Sequence, residues 1–424
     1  MFISSSLVYN KLWNNYENEF YYPFLGYRKR KFDRFSDLLN ISYKKKFISR
    51  LSSLNINSQK KVGIVNPGIN LKSFVFLLLK NRLKFLFINN TKIFIPEFEN
   101  QLSIILLELK KIFKKYSIKI NFKMLEEVFR NSFKKYKKFN SHNCDIVILG
   151  SPVNISARII AADALSKNIP VLCVDHGNET GTEDNPAWGY DEQSFCTHFL
   201  GFGSNGENAI INSTFMKPLH GKVPKYYSSN SSQIMEVYNS SKIINLPNDL
   251  INKKLVYVPN KLMGANRLGP FLSISDEDYI KWQDVILNNF PNITYKIHPK
   301  EQSNRMLNNI NLVIQPLEEC LDNFDVFIID NVLSTAFANI AATNKPIIYF
   351  NIGLGNLTKE AEALIRDRVI WIDIDLTDPG DLCVKVENQR NKKCVNNYTK
   401  KFCLSNHNQT REETVLKTIQ KIMV

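Results

Sequence analysis

The sequence predicts an α/β protein with two Rossmann-like domains facing a central cleft. Short runs of Val, Ile, Leu and Phe, bounded by turn residues, alternate with segments of helical period, the pattern of βαβ units on parallel sheets. The pattern runs from Val62 to Asp175 and again from Leu255 to Ile374, with a Ser- and Asn-rich stretch at Ser228–Ser241 reading as the crossover between halves. The chain's 424 residues suffice for two ordinary domains. The expected boundaries are a helical or irregular lead-in over 1–60, an N-terminal domain over 61–240 and a C-terminal domain over 250–424.

Taken in order, the first half opens with a strand at Val62–Asn66, and Pro67-Gly68 turns the chain into a helix over Leu71–Asn81. One glycine there falls far short of a dinucleotide fingerprint. A strand at Leu83–Asn89 and helices near Glu99–Tyr116 and Leu125–Phe139 follow. Asp145–Gly150, Ile155–Lys167 and Val171–Asp175 then form a strand–helix–strand unit. A strand at His198–Phe202 and a helix near Asn205–Asn212 finish this half. The second half has strands at Leu255–Asn260, Ile293–His298, Ile310–Gln315, Val326–Ile329, Pro346–Asn351 and Val369–Ile374. Between and after them lie helices at Asp276–Phe290, up to Asn344, at Lys359–Asp367 and from Glu412.

Two polar clusters fall where strands of the second half end, the edge at which open α/β sheets bind ligands. The first is Lys296, His298 and Lys300, with Pro299 closing the strand because it cannot extend the ladder. The second is Asp330, Asn331, Ser334 and Thr335, just before the small-residue run Ala336–Ala342. A helix starting there offers unpaired N–H groups and the positive end of its dipole to an anion, and two hydroxyls add donors. Taken alone, Ser334 is better read as an N-cap, and His298 as a hydrogen-bonded strand terminus. Together they favour a phosphate site in which His298 donates a proton or hydrogen bond to a leaving phosphate.

Lys-x-His-Pro, followed some thirty residues later by Asp-Asn-x-x-Ser-Thr and then Lys-Pro-Ile-Ile, resembles bacterial surface-polysaccharide transferases of GT-B architecture. The nearest groups are the capsule and lipopolysaccharide Kdo transferases and the bacterial sialyltransferases, and more distantly the CDP-glycerol polymerases. The resemblance covers about Leu255–Asn351. It implies a CMP-linked sugar donor with no other cofactor, held by the C-terminal domain, with His298, Ser334 and Thr335 on its phosphate and cytidine. A glycan or glycolipid acceptor would lie against the N-terminal domain. Glycerol- or ribitol-phosphate transfer from a CDP-alcohol is the second enzymatic reading.

At the end of the first half's βαβ unit stands Asp175-His176-Gly177-Asn178-Glu179. An acid at a strand's carboxyl end, beside glycine, can approach a substrate closely, and Asp175, His176 or Glu179 could act as general base. A polar turn capping a helix is the alternative. Asp175-His-Gly177 resembles the Asp/Glu-x-Gly motif of the sialyltransferase-like groups, with His176 in place of the usual second acid. Resemblance to retaining Kdo transferases would make Asp175 a nucleophile instead. In the loop that follows, Trp188 and Tyr190 could stack on a sugar or form a local cluster. After Leu255–Asn260, a glycine-containing loop carries Arg267, suited to a phosphate or anionic sugar, but lacks the Walker A spacing.

Charge is uneven. Residues 1–140 hold 28 Lys and Arg against 9 Asp and Glu, a net of +19, while the rest hold 27 against 31, a net of −4. Basic clusters at Arg28–Lys31, Lys44–Lys46, Lys110–Lys115 and Lys134–Lys138 interleave with aromatics. That suits an anionic membrane surface first and a merely solvated face second. Nucleic acid ranks last, as no recognition motif accompanies the charge. A non-catalytic basic membrane- or nucleic-acid-binding protein is therefore the reading from outside the enzymes. Seven scattered cysteines without Cys-x-x-Cys spacing argue for a reducing compartment and against zinc. Asp373-Ile-Asp375 is the one metal-like string, and strand alternation sets both acids on one face of an edge-like strand, so no metal is expected. Met1–Ser6 lacks the basic start and apolar core of a signal peptide. Lys80, Arg82 and Lys84 interrupt the most apolar stretch, Phe74–Phe87. The expected location is cytoplasmic, peripheral on the inner membrane face.

Overall fold

The computed structural model describes residues 60–65, 71–88, 98–117, 121–133, 144–150, 152, 155–175, 181–184, 193–203, 223–230, 232–238, 243–250, 253–260, 262, 274–298, 310–405 and 409–423. Two six-stranded, all-parallel sheets organise them. The first is built from β1 (Lys61–Val65), β2 (Lys84–Phe87), β3 (Ile146–Leu149), β4 (Val171–Val174), β5 (His198–Phe202) and β6 (Lys225–Ser229), in the order β2-β1-β3-β4-β5-β6. Its helices are α1 (Leu71–Lys80), α2 (Phe98–Lys115), α3 (Phe122–Phe133) and α4 (Ile155–Ser166). Strand alternation sorts the core into two faces. Val62, Ile64, Ile146, Ile148, Leu172 and Val174 meet Phe74 and Leu78 of α1 on one side. Val65, Val147, Leu149, Val171 and Cys173 meet Ala157, Ile160 and Ala164 of α4 on the other.

After α5 (Ser232–Val237), the second sheet follows the same logic. Its strands are β7 (Leu255–Val258), β8 (Thr294–Lys296), β9 (Asn311–Val313), β10 (Val326–Ile329), β11 (Ile347–Asn351) and β12 (Ile370–Asp373). Their order, β12-β11-β10-β7-β8-β9, is the doubly wound order 3-2-1-4-5-6. β10 and β7 are buried throughout, as strands covered on both faces must be. Tyr257, Ile328, Phe350 and Ile370 face α6 (Asp276–Asn289) and α10 (Leu382–Glu387). Val258, Phe327, Ile329, Tyr349 and Trp371 face α7 (Leu317–Cys320), α8 (Thr335–Ala342) and α9 (Lys359–Arg368).

Three features differ from the expected organisation. Ser228–Ser241 is not wholly a crossover: Ser228 and Ser229 lie in β6, which pairs along its length with β5. Tyr226, stacked on Phe199 at 6.2 Å, anchors that edge strand, a packing contact that outweighs the polar composition around it. The last helix, α11 (Arg411–Ile422), counted with the second half by sequence, packs in the first core through Val415, Leu416 and Ile419 beside α1. Finally, α5, α7 and α10 were not foreseen, being only 6, 4 and 6 residues long. The lead-in over 1–59, the helix expected near Asn205–Asn212, and the basic clusters outside Lys110–Lys115 lie outside the described residues.

The halves are tied at several points. Glu183 and Leu357 form an antiparallel bridge, flanked by hydrogen bonds from Asp184 N to Asn356 O (2.9 Å) and Thr358 N to Thr182 O (3.0 Å). Gly203, with φ +62°, brings the end of β5 against the backbone of Lys401 and Phe402, where a Cβ would stand 2.5 Å from both. The segment after β4 is thereby held against the N-terminus of α9, whose N-cap is Thr358.

Candidate functional site

In the doubly wound second sheet the strand order reverses between β7 and β10, and ligands of such sheets bind outside the carboxyl ends of the strands at that point. Pro259 and Asn260 leave β7 there, and Asp330 and Asn331 leave β10. The second polar cluster thus stands at the switch point. His298, two residues beyond β8 and half-buried, lies across the intervening β7. At about 4.8 Å per strand, the ends of β8 and β10 stand roughly 10 Å apart, a span that a phosphate with its nucleoside can bridge.

The four residues after β10 have separate tasks. Ser334, extended at φ −150° and ψ 151°, is the N-cap of α8, its Oγ accepting from Phe337 N at 3.1 Å. Asn331 closes an Asx turn, its Oδ1 accepting from Leu333 N at 2.9 Å. Thr335, the first helical residue, is exposed. Its hydroxyl and the uncapped N–H groups of the first turn are the anion-facing features of this helix. Arg368, fully buried, holds the other end of α8 by donating to Ala341 O (2.9 Å), Thr343 O (2.9 Å) and Lys345 O (3.1 Å). Burial lowers its guanidinium to about 10.

Asp330 differs from its neighbours. Alternation from Ile329 turns it to the α6 face, away from α8, and it is 0 % exposed. Its carboxylate accepts from the hydroxyls of Tyr257 and Tyr279 (2.9 Å for the latter) and from Trp282 Nε1 (3.2 Å). Burial pushes its pKa up to about 6, against the pull of these donors. In this structure Asp330 lines no surface and touches the crevice only through its neighbours. Lys296 is likewise turned inward: it is 3 % exposed and donates to Ile297 O at 2.8 Å. It sits near Cys320 and Glu318, and burial lowers its pKa.

In the first half, Asp175 is the first residue past β4 and is 2 % exposed. Its N–H donates to Leu200 O at 2.9 Å, and its carbonyl accepts from the guanidinium of Arg411 on α11. Arg411 also stacks on Phe202 at 4.1 Å. Burial lowers the Arg411 pKa, and the Asp175 carboxylate opposes that fall. His176, Gly177, Glu179, Trp188, Tyr190, Arg267 and Lys300 lie outside the described residues. Among the described residues no group of three or more His, Cys, Asp or Glu could hold a metal ion. Asp373 on the edge strand β12 instead accepts from Asn351 Nδ2 (2.7 Å) and Trp371 Nε1 (2.8 Å).

Arg411, Arg368 and the Tyr257–Tyr279–Trp282 trio were not singled out by sequence. Tyr279 and Trp282 are spaced i, i+3 on α6, and two buried aromatic rings with polar tips call for a partner. That spacing was the available signal. Arg411 and Arg368 carried none, since their partners lie far away in sequence.

No family model matches the chain, and no curated protein does. Solved structures with partial likeness include Anabaena Alr3699/HepE in complex with UDP, at 10% identity and a TM-score of 0.40, covering 86% of this chain and 99% of that one. A Polygonum tinctorium UDP-glucosyltransferase capable of glucosylating indoxyl shows 10% identity and 0.41 over the same shares. A glycosyltransferase from Rickettsia africae shows 11% and 0.39, over 87% and 96%. At these scores the likeness says nothing about this chain's ligands.

Proposed function

We propose that the chain is a glycosyltransferase that moves an acidic sugar of the Kdo or sialic-acid type from a CMP-linked donor to a surface-glycan acceptor. The observation that carries the reading is the coincidence of the switch point between β7 and β10 with the Asp-Asn-x-x-Ser-Thr stretch and the start of α8. The His-Pro motif, two strands from β10, supports the same pocket. On this reading the first turn of α8 and the Thr335 hydroxyl hold the departing phosphate, and His298 neutralises its charge. Asp175, His176 or Glu179 then activates the acceptor or attacks the anomeric carbon.

The experiment is nucleotide release from CMP-, CDP-, UDP- and GDP-linked sugars. The reading expects release from a CMP-sugar, cut severely in His298→Ala with the thermal transition nearly unchanged. Turnover of a UDP-sugar would leave glycosyl transfer standing and overturn the donor class. Turnover of none of them would overturn the reading.

The acceptor is taken to be lipid-linked, reached with α2 against an anionic bilayer. Ile104 and Leu107, 63% and 56% exposed, share the outward face of this helix with Lys111, Lys114 and Lys115. Apolar side chains followed by lysines on one face suit the headgroup boundary of acidic lipids. Among the described residues no helix is long and apolar enough to cross a membrane.

A further inference from the structure

Burying a carboxylate among aromatic rings is costly, and a well-packed apolar residue would often serve stability as well or better. Asp330 is nonetheless fully buried at one of the two strand ends that border the switch point. Its partners show what it gains. Tyr257 comes from β7 and Trp282 from α6, so the carboxylate ties strand to helix. Tyr279, also from α6, donates to Asp330 at 2.9 Å and uses its free lone pair to accept the backbone N–H of Asn260 at 2.7 Å. Asn260 is the second residue past β7 and opens the loop on the other side of the crevice. The end of β10 therefore reaches Asn260 by two routes, through the Tyr279 oxygen and through a hydrogen bond from the Asn260 backbone to the Asp330 carboxylate itself.

We infer that Asp330 is a positioning residue whose ionised carboxylate fixes the Asn260 backbone, just past β7, at the nucleotide crevice, so that ligand affinity follows its charge. The inference rests on the glycosyltransferase reading for the identity of the ligand, but not for the relay. Ionised, Asp330 is a pure acceptor, so the Tyr279 proton must point to it and the Tyr279 oxygen is left to accept from Asn260. Protonated, Asp330 carries a proton of its own and can donate to a tyrosine oxygen, which competes with the Asn260 N–H. The other titratable groups facing this carboxylate are Tyr257, Tyr279 and Tyr349, all raised by burial, with Tyr295 behind Tyr257. Tyr257, Tyr279 and Tyr349 keep their protons between pH 5 and 8, which leaves Asp330 as the switch among the described residues.

The test compares the wild-type chain with Asp330→Asn and Tyr279→Phe in two measurements. The first is protection of the Asn260 amide from hydrogen exchange without ligand, at pH 5 and pH 7.5, corrected for the intrinsic rate. The expected result is protection at least about tenfold lower at pH 5 than at pH 7.5 in the wild type, low and pH-independent in Asp330→Asn, and below the wild type at pH 7.5 in Tyr279→Phe. Tyr279→Phe keeps the carboxylate and two of its donors, so it reports the relay even if Asp330→Asn fails to fold. Equal protection in wild type and Tyr279→Phe would overturn the inference. The second measurement is calorimetric binding of CMP and UDP over the same pH range. A wild-type affinity that falls at acid pH more steeply than that of Asp330→Asn is expected, and parallel profiles would overturn the coupling to ligand. If neither nucleotide binds the wild type, the functional reading and the coupling fall, while the exchange result still decides the relay.

Discussion

Arg411, the first residue of the last helix, donates to the backbone carbonyl of Asp175, which directly follows a strand of the first sheet 236 positions earlier. With Phe202 under its guanidinium and the Asp175 carboxylate near, it fixes both α11 and the start of the segment that leads to the second half. Arg411→Met keeps the stem and removes the charge, and with it the donor to the Asp175 carbonyl. The expected loss of stability is about 2 kcal/mol, read by chemical denaturation. A loss near zero would mean that the apolar packing of α11 suffices.

Ser334 and Thr335 separate two jobs that the sequence left joined. Ser334 caps α8 through Phe337 N, so Ser334→Ala is expected to cost about 1 kcal/mol of stability. Thr335 is exposed and makes no cap bond, so Thr335→Ala is expected to leave stability within about 0.5 kcal/mol while weakening nucleotide binding. The reverse pattern in thermal denaturation would reassign the cap.

Stability should carry the signature of Asp330. Its folded pKa of about 6 lies above the ordinary 3.8, so between those values the folded chain binds more protons than the unfolded one. The group's contribution is then most favourable below about pH 4 and is lost as pH rises towards 6 and above, by on the order of 3 kcal/mol. Denaturation midpoints of wild type and Asp330→Asn, compared from pH 4 to 7, should diverge in that window. Parallel curves would mean that the carboxylate keeps an ordinary affinity for protons.

For the membrane face, co-sedimentation with vesicles rich in phosphatidylglycerol is expected, falling with salt and absent for pure phosphatidylcholine. Ile104→Ser with Leu107→Ser should weaken it without changing the melting temperature, since both side chains are exposed. Vesicle binding unaltered by the pair would move the contact off α2.

Much of the architecture was legible. Uninterrupted apolar runs such as Val326–Ile329 and Ile146–Leu149 announced fully buried parallel strands, and these strands fell within a residue or so of the expected ends. The second polar cluster was placed correctly at a strand end. Its internal division was not, because deciding which side chains face the crevice requires knowing which helix covers which face. Alternation from Ile329 sends Asp330 to α6, while α8 lies on the opposite face. The return of α11 to the first core was invisible for a related reason: Val415, Leu416 and Ile419 mark an amphipathic face but not its partner. β6 was hidden by composition, its serines outweighing Tyr226 and Tyr227 in a reading by residue type.

The central claim is that the start of α8 holds the phosphate of a nucleotide, and Thr335→Glu tests it most directly. A carboxylate in the first turn suits the helix dipole, so the fold should be unharmed or slightly firmer, while it repels a bound phosphate. Calorimetry with CMP and UDP is expected to show binding to the wild type, with CMP the tighter, and its loss in Thr335→Glu at an unchanged or raised melting temperature. Equal affinity in both proteins would contradict the account.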